Sequence, residues 1–368
     1  AEVITEDEFT SRVESGDSLT HYIGFEISGY VHIGQGIMSA LVIKDLQALG
    51  VKCTIWLADW HTAINHKLDG TKETAAKIGK GYFTEAMKAC LSSVGADVDA
   101  VEFRLASEWY TKNENYWETV IKVLKNTSLA RLQRSISIMG KDAGENVDGA
   151  TIMYPAMQVA DILSQGIDIV HAGMDQRKAH VVMRDVFEKI EPGKKKPIVL
   201  HQHLMMGLDL NAEILNKDGI KEVGPVELEN LPDGKMQITL KMSKSKPDSA
   251  IFIHDSEDDV NRKIKKAFCQ EKDIEFNPIL NWAKNILFWN RTTPFVIERK
   301  EEHGGTVEFG TYAELEQAFA AGDIHPMDLK VTVAKEIITL LAPAREHFAK
   351  ADIAEKKKEL DDVLSKRG

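Results

Sequence analysis

One stretch limits the possible folds more than any other: residues 22–36, YIGFEISGYVHIGQG. Tyr22, Ile23 and Phe25 have the apolar density of a short buried strand, Ser28 and Gly29 break it, and His32 to Gly36 open an apolar run, 37–49, with helical length and spacing. A strand, a glycine-relieved turn and a helix start bring backbone N–H groups and the positive helix end to one point, where an anion is stabilised. Further strand-like segments at 52–57, 99–105 and 167–171 alternate with helical patterns at 71–91, 116–139 and 152–166. Strands separated by helical crossovers form a parallel sheet covered on both faces, so an α/β fold is expected.

At 368 residues the chain has room for two domains. After Phe252 the pattern becomes helical only, at 256–269, 278–288, 312–321 and 326–348, with a charged helix over 351–368. The joint at 248–255 divides the chain into a first domain, 1–248, and a helical second domain, 249–368. No run of eighteen apolar residues occurs, and the opening AEVITEDEFT lacks the basic-then-apolar order of a signal peptide. A cytoplasmic protein with no membrane span is therefore expected. Cys53, Cys90 and Cys269 are far apart and read as small buried hydrophobes, and no metal site is expected. A formal charge of -11 argues against non-specific wrapping of nucleic acid while leaving room for a local basic surface.

Two groups of residues suggest chemistry. His32 at a helix start can donate to a phosphate, with Gly34 and Gly36 permitting close approach, although an incidental histidine in a strand–helix turn reads the same way. The loop 241–245, KMSKS, is rich in Ser and Lys and stopped by Pro247, so it is expected to be exposed and mobile. Lys241 and Lys244 on such a loop can neutralise charge on a departing pyrophosphate, although an ordinary basic loop has the same composition. The GxxxxGK[ST] pattern is absent, which sets aside a P-loop. Farther along, Tyr154, Gln158 and Asp161 stand four and three residues apart, so a helix presents them on one face. His201 and His203 read as packing or surface residues.

The KMSKS string, taken with HIG at 32–34 opening a helix, resembles the paired signatures of class I aminoacyl-tRNA synthetases. The segments YIGFEISG at 22–29, YPAMQVADI at 154–162, GMDQRKAH at 173–180 and HPMDLK at 325–330 are similar to archaeal/eukaryotic-type tyrosyl-tRNA synthetases, and the likeness runs roughly from Leu19 to Phe348. The resemblance implies a Rossmann-like catalytic domain followed by an all-helical anticodon-binding domain. It implies a tyrosine--tRNA ligase that uses ATP with Mg²⁺ to activate L-tyrosine, charges tRNA(Tyr) and acts as a homodimer. By the same resemblance Tyr22 and Asp161 hold the phenolic hydroxyl, and Tyr154, Gln158 and Gln176 the α-amino group. Gly24, His32, Gly34, Lys241, Met242, Ser243, Lys244 and Ser245 bind ATP, and His32, Gln35, Lys241 and Lys244 form the catalytic group. His325 and Asp328 meet the anticodon, the basic helix around Arg131 and Arg134 is where an acceptor-stem contact is sought, Leu57, Ala58 and His61 line the ring side, and Glu26 lies beside the adenylate.

The sequence departs from the family pattern at Gln35, where a histidine is usual, and at Ile27, where a proline is expected. Glutamine still donates a hydrogen bond but carries no charge. Two alternatives compete with this reading. A tryptophanyl-tRNA synthetase has related signatures, but a single indole N–H suits the Tyr22 and Asp161 pair less well than a phenol does. A non-catalytic RNA-binding protein retaining the fold is the other, and Lys241 and Lys244 argue against it.

Overall fold

The computed structural model describes residues 2–140, 148–209, 242 and 247–366. Its main sheet contains β1 (Glu2–Ile4), β2 (Thr20–Phe25), β3 (Lys52–Leu57), β4 (Val101–Leu105), β5 (Ile169–Gly173) and β6 (Ile198–Gln202), in the order β1-β6-β5-β2-β3-β4. β2 to β6 run parallel and β1 is an antiparallel edge. From β2 the chain steps outward through β3 to β4, then returns to β5 on the other side of β2 and continues to β6. The winding reverses between β2 and β5, and an open α/β sheet has its ligand crevice at such a point, beyond the carboxyl ends of the strands.

The helices around the sheet are α1 (Glu6–Glu14), α2 (Gly36–Ala48), α3 (Asp59–Ile64), α4 (Lys72–Ile78), α5 (Thr84–Val94), α6 (Ala106–Lys112), α7 (Tyr116–Asn126), α8 (Leu129–Ser135), α9 (Gly149–Leu163) and α10 (Arg177–Ile190). Side chains alternate across a strand, so the sheet feeds two cores. Ile23, Phe25, Ile55 and Leu57 enter the first, with α2 and α5. Tyr22 and Trp56 enter the second, with α7, α9 and α10.

The C-terminal part is helical, as expected: α11 (Glu257–Lys266), α12 (Pro278–Trp282), α13 (Tyr312–Ala321), α14 (Pro326–Leu340), α15 (Ala342–Phe348) and α16 (Ala351–Ser365). It also carries a short antiparallel hairpin, β7 (Phe295–Ile297) with β8 (Val307–Phe309). The first core continues into it without a break through Ile253, Trp282, Leu341 and Leu360. Across the same junction Trp289 donates to Asp45 at 3.0 Å, and the Glu85 carboxylate meets both Lys356 and His347 at 2.9 Å. No helix among the described residues is long and apolar enough to cross a membrane.

Several boundaries differ from the sequence pattern for identifiable reasons. The helix expected over 116–139 is three pieces, α7, α8 and a 3-10 turn (Ile136–Met139), because Ser128 caps α8 by accepting the Arg131 N–H. The helix expected over 326–348 is α14 and α15, since Pro343 supplies no N–H to continue the ladder. Thr311 and Glu314 form a capping box at the start of α13. The pattern does not foretell β1, which is three residues long, or β6, whose IVLHQ sequence ends in polar residues.

Candidate active site

At the reversal of the winding a cavity of about 870 Å³ opens beyond the ends of β2 and β5. β2 and the turn after it contribute Tyr22, Glu26 and His32, and α9 contributes Tyr154, Gln158 and Asp161. The spacing that put the last three on one helix face therefore brings them to one space. Gln176, from the turn after β5, joins them.

Asp161 forms the floor and is 1% exposed. Its Oδ1 accepts the hydroxyls of Tyr110 at 2.7 Å and Tyr116 at 3.1 Å, and its Oδ2 accepts the indole N–H of Trp56 at 3.1 Å. Burial raises the carboxyl, and the three donors, all of them hydrogen bonds to its charged form, pull it back toward the carboxylate. A carboxylate offers roughly four lone-pair sites, so Oδ2 retains capacity for one more donor. His61 Nδ1 lies 3.8 Å from it, too far to fill that place, and burial lowers the imidazole to about 4, leaving it neutral. Tyr22 shares this floor. Burial and then the nearby Asp161 raise its phenol well above the usual range, so it stays a hydroxyl. Gly24 is obligatory beneath it, because a side-chain carbon there would collide with the Tyr22 hydroxyl.

The sequence reading missed Trp56, Tyr110 and Tyr116, which fix Asp161 before any ligand arrives. The aromatic density of residues 109–117, WYTKNENYW, was the available signal. Tyr110 and Tyr116 stack with ring centroids 3.8 Å apart. Leu57 also differs from expectation: it belongs to the first core, while Ala58 and His61 line the cavity.

One level up, the Tyr154 hydroxyl donates to Glu26 Oε1 at 2.6 Å, and Asn65 donates to the same oxygen at 2.8 Å. Gln158 Nε2 donates to Gln176 Oε1 at 3.3 Å, and Gln176 Nε2 to the Ile138 carbonyl at 3.0 Å. Gln158 Oε1 is left buried without a partner among the described residues. A buried acceptor in this state suits an incoming ammonium group.

The other end of the cavity is built mostly of backbone. Ile33 donates to the Ile251 carbonyl at 3.0 Å and His32 bridges to Phe252, so segment 251–253 clamps the turn. His32, Gly34 and Gln35 line the cavity there. A side chain at Gly34 would stand 3.1 Å from both Met205 and Met242, which roof the turn. Met242 departs from the exposed loop expected of it: it is buried and donates its N–H to Met205 at 3.0 Å. Lys241, Ser243, Lys244 and Ser245 lie outside the described residues. Gly36, expected to admit a ligand, is instead packed against protein. Close approach there is made by Cys90 and Val31 rather than by a ligand, and the glycine lets α2 start tight against α5. Gln35 precedes α2 without capping it, and its Oε1 is buried and unpartnered among the described residues.

The last helix reaches this end. Leu364 of α16 lines the cavity, and the Tyr30 hydroxyl, from the turn itself, donates to Asp361 while Lys357 sits 5.3 Å from the Tyr30 ring. His325 and Asp328 are elsewhere: His325 caps α14 by accepting the Met327 N–H at 3.2 Å, Asp328 follows in the first turn, and neither lines the cavity. Arg131 is paired with Asp185. His201 meets His180 at 3.0 Å and Glu2 at 2.8 Å, and His203 meets Asn281 at 2.9 Å, so both histidines serve packing.

A family model described as tRNA synthetases class I (W and Y) matches residues 14–212 and 230–342. The tyrosine--tRNA ligase of Thermococcus kodakarensis is 48% identical over 356 residues, which span 95% of this chain and 92% of that protein. The tyrosyl-tRNA synthetase of Pyrococcus horikoshii, solved in complex with L-tyrosine, superposes with a TM-score of 0.89 at 42% identity, covering 98% of this chain and 96% of that one. That of Archaeoglobus fulgidus, also complexed with L-tyrosine, gives 0.77 at 32% identity, covering 94% and 95%. The chain therefore belongs to the class I tRNA synthetases for tyrosine and tryptophan and, within them, to the archaeal/eukaryotic-type tyrosyl-tRNA synthetases.

Proposed function

We propose that the chain activates L-tyrosine with ATP, forming tyrosyl-adenylate and pyrophosphate, and then transfers the tyrosyl group to the 3′ end of tRNA(Tyr). The observation that carries this is a single cavity whose floor is a buried carboxylate beside a phenol, Asp161 and Tyr22, and whose other end is the His32–Gly34 turn at the start of α2. Tyr22 and Asp161 hold the substrate hydroxyl. Gln158, with Tyr154 and Gln176 around it, receives the ammonium group. Phenylalanine entering this site would leave buried polar groups without partners, a discrimination for which tyrosyl enzymes are the general example.

In the first step a tyrosine carboxylate oxygen attacks the α-phosphorus and the bond to pyrophosphate breaks. In the second, the terminal ribose hydroxyl of the tRNA attacks the activated carbonyl and AMP leaves. No enzyme nucleophile is needed, so catalysis is positioning plus charge stabilisation. His32 and the N–H groups of the turn meet the phosphates beside Gly24 and Gly34, Gln35 adds an uncharged donor, and Lys241 and Lys244 neutralise the departing pyrophosphate, with Met242, Ser243 and Ser245 completing the loop. Among the described residues no cluster of three or more His, Cys, Asp or Glu is spaced to hold a metal ion. Mg²⁺, brought with ATP, would supply further neutralisation of the phosphate charge beside His32 and the turn N–H groups.

The catalytic domain spans 1–248 and the anticodon-binding domain 249–368, with His325 and Asp328 reading the anticodon. The enzyme acts as a cytoplasmic homodimer. Pyrophosphate exchange with each standard amino acid, followed by tRNA charging, tests the reading: exchange with tyrosine and charging of tRNA(Tyr) are expected. Exchange with tryptophan and silence with tyrosine would overturn the substrate, and RNA binding without any exchange would overturn catalysis.

A further inference from the structure

Gln202, a polar residue lining the cavity that this scheme leaves unused, stands at the carboxyl end of β6 in register with Gly173 of β5. It is 8% exposed. Its Oε1 is held from within the protein, 2.9 Å from His171 Nε2 and 3.4 Å from the hydroxyl of Ser39 on α2. Behind His171 lies His21, with its Nε2 3.3 Å from His171 Nδ1. Both rings are fully buried, and burial holds His171 down to about 4 and His21 well below its ordinary value, so both are neutral near pH 7.

A neutral imidazole has one N–H and one lone pair, which leaves this row two possible directions. In one, His21 Nε2–H donates to His171 Nδ1, and His171 Nε2–H donates to Gln202 Oε1. In the other, every proton moves to the opposite nitrogen and His21 Nδ1 carries a hydrogen. His21 Nδ1 is buried without a partner among the described residues. An orphaned buried N–H is rarer and costlier than an idle lone pair, so the first direction prevails. Gln202 Oε1 then accepts from both His171 and Ser39, and the amide N–H pair is turned to the cavity.

We infer that Gln202 is a nucleotide-binding residue whose amide N–H pair donates to an acceptor on the adenosine moiety of ATP, with His171 and His21 as positioning residues behind it. The inference rests on the proposed reaction. Around the α-phosphorus, tyrosine takes the side of β2 and α9, and the triphosphate takes the glycine turn. The adenosine is left the side of β5 and β6, where Gln202 stands three residues before Met205, the roof of Gly34. Ribose oxygens and purine nitrogens are acceptors, which is what an amide N–H pair requires.

The test is pyrophosphate exchange by wild type, Gln202→Met and Gln202→Glu, with separate KM values for ATP and tyrosine and a thermal midpoint for each protein. Methionine removes the donors at similar volume and is expected to raise the ATP KM about five- to tenfold, the loss of one hydrogen bond. Glutamate replaces the donors with an acceptor and is expected to raise it further. The tyrosine KM should stay within about twofold of wild type, as expected for a contact made only to the nucleotide. His171→Phe should also raise the ATP KM, whereas a lowered midpoint with unchanged KM would remove its positioning role. An ATP KM unchanged in both Gln202 variants, or a tyrosine KM that rises equally, overturns the assignment. If wild type shows no tyrosine-dependent exchange, the proposed reaction fails instead, and direct ATP titration of wild type and Gln202→Met still decides: equal affinities overturn the inference.

Discussion

The two ends of the cavity are built by opposite means. Around Asp161 every wall is a buried side chain, and the carboxylate already has three protein donors. At the glycine turn the wall is main chain, clamped by Ile251 and Phe252 and roofed by methionines. A buried polar network fixes geometry before binding but fails when any member is missing. A backbone turn depends little on side-chain identity, provided that its neighbours can pack. This contrast explains how glutamine stands at position 35 without structural compensation: the turn is held by the bonds of its neighbours. Selection between similar amino acids belongs to the stiff end. Accommodation of a flexible, highly charged chain belongs to the other.

The contrast is most exposed to failure at the lysines. Lys244→Ala is expected to slow adenylate formation by about 10²–10³, the effect of removing one transition-state donor, with the tyrosine KM within a few-fold of wild type. Single-turnover kinetics would reveal equal losses in binding and rate if the residue served the ground state. At the stiff end, Asp161→Ala is expected to erode the preference for tyrosine over phenylalanine by about 10–100-fold and to destabilise the fold by about 2–4 kcal/mol, because Trp56, Tyr110 and Tyr116 lose their acceptor. Unchanged discrimination in exchange assays would detach Asp161 from the substrate.

A smaller effect is read through pH. Burial holds His61 and His171 at about 4, below the ordinary imidazole value near ~6.5. The unfolded chain binds more protons across that interval, so stability is full above about pH 6.5 and falls by about 1.4 kcal/mol per pH unit for each such histidine as the pH drops toward 4. Denaturant midpoints recorded from pH 8 to pH 5 should decline only in the lower half of the range. Asp161, raised by burial, works the other way over the same interval, so the decisive comparison is with His171→Phe, whose midpoint should decline less steeply than that of wild type below about pH 6.5; equal slopes would show that the His171 ring is not buried neutral.

What the sequence reveals follows from how local each feature is. Strand β3 is legible because its last five residues, CTIWL, form a dense β-prone run, all of it buried, which is the signal of a strand covered on both faces. The convergence of Tyr154, Gln158 and Asp161 is legible because helical periodicity alone sets it. The partners of Asp161 are not, since Trp56 is 105 residues away and Tyr110 is 51, and no local pattern encodes a pairing across elements. Gln202 escapes notice for the same reason: between two histidines it looks like polar surface, and only the parallel neighbour β5 brings His171 to its carbonyl. The break at Ser128 lies between these cases, because a serine between helical runs is a cap signal that continuous apolar spacing concealed.

Tyr30 and Asp361 join across 331 residues of chain. Contacts so distant in sequence form late, since long loops must close before they are rewarded. As the polypeptide emerges from the ribosome, the main sheet and its helices come first, with the flank of α5 around Glu85 and the Leu364 side of the cavity open to water. The Leu364 wall of the cavity forms only when α16 docks, so one side of the cavity is completed by contacts that close late.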